Sequence, residues 1–171
     1  MDKVKIILGF SIPKDHPFPI LSWIIKLVDK TPYSHVYIRW KSKSMEVDVA
    51  YHAAGSIVHF LGKKEFDKKI QPIEEYELEI NKECYRKLVK KCMEKAGTDY
   101  GKKQALGLGL QKIFKLKENP FSDGEKSDVC SETAMEIMSD IRPDIKSNIS
   151  RDEIWPSDVN KIAKENFKRI L

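Results

Sequence analysis

The chain has 171 residues, enough for one core of ordinary size and too few for two, with 41% hydrophobic and 33% charged residues and a net charge of +5. The basic excess is nearly all lysine, since Arg39, Arg86, Arg142, Arg151 and Arg169 are the only arginines; this argues against nucleic-acid binding, which favours the arginine fork. No apolar run approaches the roughly 20 residues of a membrane span, the start has no leader pattern, and Cys84, Cys92 and Cys130 are too few for a disulfide scaffold, so the expectation is one reduced, cytoplasmic domain over residues 1–171.

Val4 to Phe10 reads as a mostly buried strand. Pro13, Pro17 and Pro19 enforce a loop, and Ile20 to Val28 predicts a short buried helix that Thr31-Pro32 stops. Ser34 to Trp40 alternates, with Val36, Ile38 and Trp40 on one face and His35, Tyr37 and Arg39 on the other; Glu46 to His52 alternates as well. The polar stretch Ser42-Lys43-Ser44-Met45 suits a hairpin loop between them. Folding symmetrically about that loop sets Trp40 opposite Val47, Ile38 opposite Val49, Arg39 opposite Asp48 and His35 opposite His52. A slip of one residue would turn one apolar set to the wrong face.

Gly55 permits a turn into a short strand at Ser56 to Phe60. Lys63 to Lys69 reads as a charged connection and Gln71 to Ile80 as an alternating strand. Asn81 has the character of a helix N-cap, Cys84 to Ala96 follows at helical spacing, and Gly97 supplies the stop. Lys102 to Leu116 predicts a second, weaker helix, and Asn119 to Lys126 a loop. Asp128 caps a predicted helix through Cys130 and Met138, and Ser157 or Asp158 caps a last one through Val159 and Phe167. A strand, a helix, a run of antiparallel strands and then helices make the fold class α+β.

Cys84 and Cys92 fall on the apolar stripe of one helix and read as core residues. Cys130 lies in the first turn of a helix, where free N–H groups favour a thiolate, so it is expected to be the reactive one. A thiol nucleophile needs a base, and the base needs an orienting group; His35 and His52, joined by the hairpin, can supply both. His16 and His59 have no such partner and read as loop or surface residues. A zinc site from His35, His52 and Cys130 is the rival arrangement, but no close ligand pair such as Cys-x-x-Cys accompanies it, and no cofactor or metal is expected.

Four segments carry a resemblance: Thr31-Pro32-Tyr33-Ser34-His35-Val36-Tyr37-Ile38, Ala50-Tyr51-His52-Ala53, Gly97-Thr98-Asp99-Tyr100-Gly101 and Asp128-Val129-Cys130-Ser131-Glu132. Their order resembles the circularly permuted NlpC/P60 papain-like hydrolases, a group that includes YiiX/YaeF-like proteins and is related to the lecithin retinol acyltransferase group. The resemblance implies a papain-like permuted fold with a central antiparallel sheet and the nucleophile on a helix N-terminus. It also implies Cys130 as nucleophile, His35 as general base, His52 as orienting residue and Tyr100 as oxyanion-hole donor, with Trp155-Pro156-Ser157-Asp158 structural. The expected activity is cleavage of an amide bond, in a peptide or cell-wall peptide, through a thioester. A lipid acyl hydrolase or acyltransferase is the alternative, since Lys102 to Lys117 is basic and apolar enough to lie on an anionic membrane surface. A binding module that kept the fold without turnover is the third reading.

Overall fold

The computed structural model describes residues 3–14, 19–42, 47–54, 57–99, 101–121, 129–145, 149 and 153–171. Through them run β1 (Lys3–Pro13), α1 (Pro19–Asp29), β2 (His35–Ser42), β3 (Val47–Ala54), β4 (Ile57–Gly62), α2 (Lys63–Lys69), β5 (Ile70–Asn81), α3 (Lys82–Lys95), α4 (Lys102–Phe114), α5 (Cys130–Ile141), α6 (Pro156–Asn166) and β6 (Lys168–Arg169). The strands form one antiparallel sheet in the order β4-β3-β2-β1-β5-β6. The fold class is α+β.

Strand alternation divides the sheet into two unlike faces. On one, Ile6, Leu8, Phe10, Val36, Ile38, Trp40, Tyr51 and Tyr76 join residues of α3, α5 and α6 in the main core. On the other, Tyr37, Ala50 and Leu61 pack with Phe66 and Ile70. Phe66 explains why Lys63–Lys69 is a helix and not the expected charged connection. One buried aromatic anchors it, while Lys63–Asp67 and Glu65–Lys69 pair along its exposed side. Strand β6, which has no period-2 signal, is held by pairing with Tyr76 and Glu77 of β5.

Strands β2 and β3 pair antiparallel, two residues out of the expected register, and residues 43–46, which hold most of the expected loop, lie outside the described residues. Tyr37 faces His52, Ile38 faces Tyr51, Arg39 faces Ala50, Trp40 faces Val49 and Lys41 faces Asp48. A shift of two preserves every residue's face, so apolar patterning cannot distinguish the two registers. The expected Arg39–Asp48 pair is replaced by Arg39–Glu75, reached across β1: Nε donates to Oε1 at 2.8 Å and a terminal guanidinium nitrogen to Oε2 at 2.7 Å. Tyr37 donates its hydroxyl to the same carboxylate at 2.5 Å. Gly9 makes this possible, because a β-carbon there would overlap the Tyr37 ring.

The helix ends follow local chemistry. Asn81 caps α3 by accepting from the Cys84 N–H at 2.8 Å, and Gly97 beyond it takes φ +88°. Helix α6 starts at Pro156, earlier than expected, with proline at the position where its missing N–H costs nothing. Asp158 still satisfies the helix start, accepting from the Trp155 N–H at 2.9 Å. Ser157 is turned away to Asp29, to which it donates both its N–H (2.9 Å) and its hydroxyl (2.5 Å). The Lys112 ammonium lies 3.2 Å from the same buried carboxylate, so Asp29 ties α1, α4 and α6 together. The expected cap at Asp128 lies outside the described residues.

Candidate functional site

Cys130 is the first residue of α5, as the sequence indicates. The residues around it fix that position. Glu132 accepts from the Val129 N–H at 3.1 Å with one oxygen and from the Gln104 side chain at 2.7 Å with the other, so a single buried carboxylate caps α5 and ties it to α4. Ser131 donates its hydroxyl to the Ile154 carbonyl at 2.7 Å. The Cys-Ser-Glu run thus holds the thiol at the start of the helix with both following side chains committed.

Helix α5 packs on β2 and β3. The ladder between those strands stops at Tyr37–His52, one residue short of Val36. Cys130 packs in the same core as Val36 at this end of β2, and the Val36 N–H acts to lower the thiol pKa. His35 and Val36 are consecutive, so their side chains leave the strand on opposite faces. Cys130 shares the α5-side core with Val36, so the structure does not bring its sulfur together with the His35 ring, which leaves β2 on the other face.

The thiol departs from one expectation. Burial pushes its pKa up to about 11, outweighing the Val36 and Ser131 N–H groups that pull it down, with Glu132 adding to the rise. Only 4% of Cys130 is exposed, whereas Cys84 is half-buried. The helix N-terminus does favour a thiolate, but enclosure wins in the resting protein. Cys92 behaves as the expected core residue, and burial raises its thiol further still.

The histidines do come together. His35 Nε2 lies 2.9 Å from His52 Nδ1 in a buried contact, although the two residues are diagonal and not opposed. His59, expected to be a surface residue, directly faces His52 in the β3–β4 ladder and places Nε2 3.2 Å from His52 Nε2. The signal that would have found it is the β3–β4 register, since both strands carry a histidine on the same face. Burial, then the neighbouring His35, His59 and Lys69 charges, hold the His52 pKa well below the usual histidine value. His52 is therefore a neutral ring that accepts at one nitrogen and donates at the other. Tyr100 and His16 lie outside the described residues. Among the described residues, no group of three or more His, Cys, Asp or Glu side chains is placed to hold a metal ion.

Beside Cys130 lies a cavity of about 20 Å³, lined by Ile25, Leu108, Val129, Ile154 and Trp155 among others. Its walls are α1, α4, the start of α5 and the segment leading into α6. They are almost wholly apolar, and the Lys112 ammonium sits 4.4 Å over the Trp155 ring at the edge. No helix among the described residues is long and apolar enough to cross a membrane. No family model matches the chain, and no curated protein matches it either.

Proposed function

We propose that this chain is a cysteine hydrolase of the papain-like permuted NlpC/P60 type, working by acyl transfer through Cys130. The observation that carries the reading is the buried His35 Nε2–His52 Nδ1 contact, with Cys130 at the first position of α5. With Nε2 engaged by His52, Nδ1 is the His35 nitrogen we assign to Cys130; because the two side chains lie on opposite faces of β2, the proposed transfer requires them to meet around the end of that strand. His35 Nδ1 takes the Sγ proton, and the thiolate attacks the carbonyl carbon of an amide. The N–H groups at the start of α5 are suited to hold the resulting oxyanion, and the family resemblance alone assigns Tyr100 as a further donor. Collapse expels the amine, which leaves with the proton held by His35, and a thioester remains. Water, deprotonated by His35, attacks the thioester and releases the acid and the Cys130 thiol. Burial holds the thiol pKa at about 11, so the resting form of Cys130 at neutral pH is the thiol.

A lipid ester is the second reading, favoured by the apolar cavity at the thiol. Trp23 and Leu27 on α1 and Ile113 and Phe114 on α4 are exposed, with Lys103, Lys115 and Lys117 on or just beyond α4. Exposed apolar side chains beside lysines suit an anionic membrane surface.

The test is capture of the intermediate. The folded protein is mixed with peptide p-nitroanilides and with p-nitrophenyl esters of increasing chain length, and its intact mass is followed. An acyl adduct on Cys130, absent in Cys130→Ala and unaffected by a strong chelator, is the expected result. Preference for peptides supports the amidase, and a rate rising with chain length supports the lipid ester. Turnover that is lost on chelation and restored by zinc overturns the assignment, and ligand binding with neither adduct nor turnover leaves the binding module.

A further inference from the structure

The third histidine adds a direction to the site. His59 Nδ1 lies 3.1 Å from the Ile57 carbonyl oxygen. A carbonyl only accepts, so Nδ1 carries the hydrogen, and in a neutral ring Nε2 then holds the lone pair. That lone pair faces His52 Nε2 at 3.2 Å, so the His52 hydrogen is on Nε2. His52 Nδ1 is left as an acceptor, and it lies 2.9 Å from His35 Nε2. His35 Nε2 therefore donates, and the His35 lone pair is on Nδ1. Each bond fixes the next, and the Ile57 carbonyl fixes the first.

We propose that His59 is a positioning residue which, through His52, sets the tautomer of His35 and keeps its Nδ1 lone pair ready to accept a proton. The inference deepens the cysteine hydrolase reading and rests on it for the purpose of the tautomer, though not for the tautomer itself. The buried, neutral character of His52 supports the relay, because a protonated His52 would donate at both nitrogens and break the chain of roles. His59 is half-buried, so replacing it disturbs little of the core.

Two readouts keep the relay and the hydrolase reading separable. Long-range proton–nitrogen correlation spectra of the ¹⁵N-labelled full chain report which ring nitrogen of each histidine is protonated, whether or not the protein turns anything over. Near pH 8, wild type should show His35 and His52 protonated on Nε2 and His59 on Nδ1. His59→Leu should release the constraint, so that His35 becomes a mixture of tautomers. His59→Gln should retain the wild-type pattern, because its amide can donate to Ile57 and accept from His52. Rates of Cys130 acylation should follow, with a loss of about fivefold to tenfold in His59→Leu, the scale of one lost hydrogen bond, and most of it recovered in His59→Gln. His35 protonated on Nδ1 in wild type, or an unchanged His35 tautomer in His59→Leu, would overturn the relay. An intact relay in a protein that never acylates Cys130 would instead sink the hydrolase reading.

Discussion

The two faces of the sheet are built from alternate residues of the same strands, yet they are stabilised in opposite ways. Under α3, α5 and α6 the side chains of Ile6, Leu8, Phe10, Ile38 and Tyr51 form a close-packed apolar layer. On the other face a polar row runs from Glu75 past Gly9 to Tyr37, His52 and His59, one residue from each of five neighbouring strands. Apolar packing is non-directional, so neighbours can relax into a lost contact. A buried polar row has no such freedom, since every donor and acceptor must be matched by one particular partner.

The most severe test of this contrast is at Glu75. Glu75→Ala leaves Arg39 unpaired and the Tyr37 hydroxyl without its acceptor, an expected loss of about 3–5 kcal/mol by analogy with other broken buried pairs. Leu8→Ala on the apolar face should cost a similar amount, about 2–5 kcal/mol. The two should differ in how they are repaired. Combining Glu75→Leu with Arg39→Met and Tyr37→Phe removes all partners together and should recover much of the stability in urea unfolding. A triple variant no better than Glu75→Ala would mean that the polar row is not a self-contained unit.

The faces should also fail at opposite ends of the pH scale. His52 has its pKa depressed in the folded chain, so its contribution is complete above pH 6.5, the ordinary histidine value. As pH falls below that, the unfolded chain binds a proton that the folded one refuses, and stability drops by up to about 1.4 kcal/mol per pH unit. Cys130 is the reverse case, with a folded pKa raised to about 11. Its contribution is complete below the unfolded thiol value, near pH 8.5, and is lost as pH climbs towards 11. Chemical denaturation across pH should show the acid slope flattened in His52→Asn and the alkaline slope flattened in Cys130→Ala.

A smaller difference concerns reagents. At neutral pH iodoacetamide should modify half-buried Cys84 before enclosed Cys130, as peptide mapping would show. If Cys130 reacts first, the α1–α4 wall of the cavity opens readily in solution.

The sequence made the apolar face legible because its signal is local and repeated. A mostly apolar run marks β1, period-2 runs mark β2, β3 and β5, and Asn81 and Gly97 mark the ends around α3. The polar row was less legible because its partners are far apart in the chain. Nothing near Arg39 announces Glu75, which comes from a strand on the far side of β1. His59 is hidden for the same reason, since its partner is supplied only by the β3–β4 ladder. His35 and His52 are neighbours in either register, because face membership depends on parity alone and a shift of two only makes them diagonal. Helix α2 was hidden for a different reason: one buried residue, Phe66, is too few to generate a period.

The finest distinction is between the two registers of the hairpin. In the structure Lys41 and Asp48 are directly opposed, while Arg39 lies opposite Ala50 and directs its guanidinium to Glu75. Opposed charges on a sheet contribute about 0.2–1 kcal/mol. A double-mutant cycle on Lys41 and Asp48 should give a coupling in that range, falling as salt is added. The same cycle on Arg39 and Asp48 should give a smaller value, because Arg39 loses Glu75 in both arms and that loss cancels. A larger coupling for Arg39 would place the strands two residues over, with His52 directly opposite His35. His59 would then no longer share a single row with His52 and Tyr37. The cycle therefore tests, through surface charges, the register that sets His52 diagonal to His35 and opposite Tyr37.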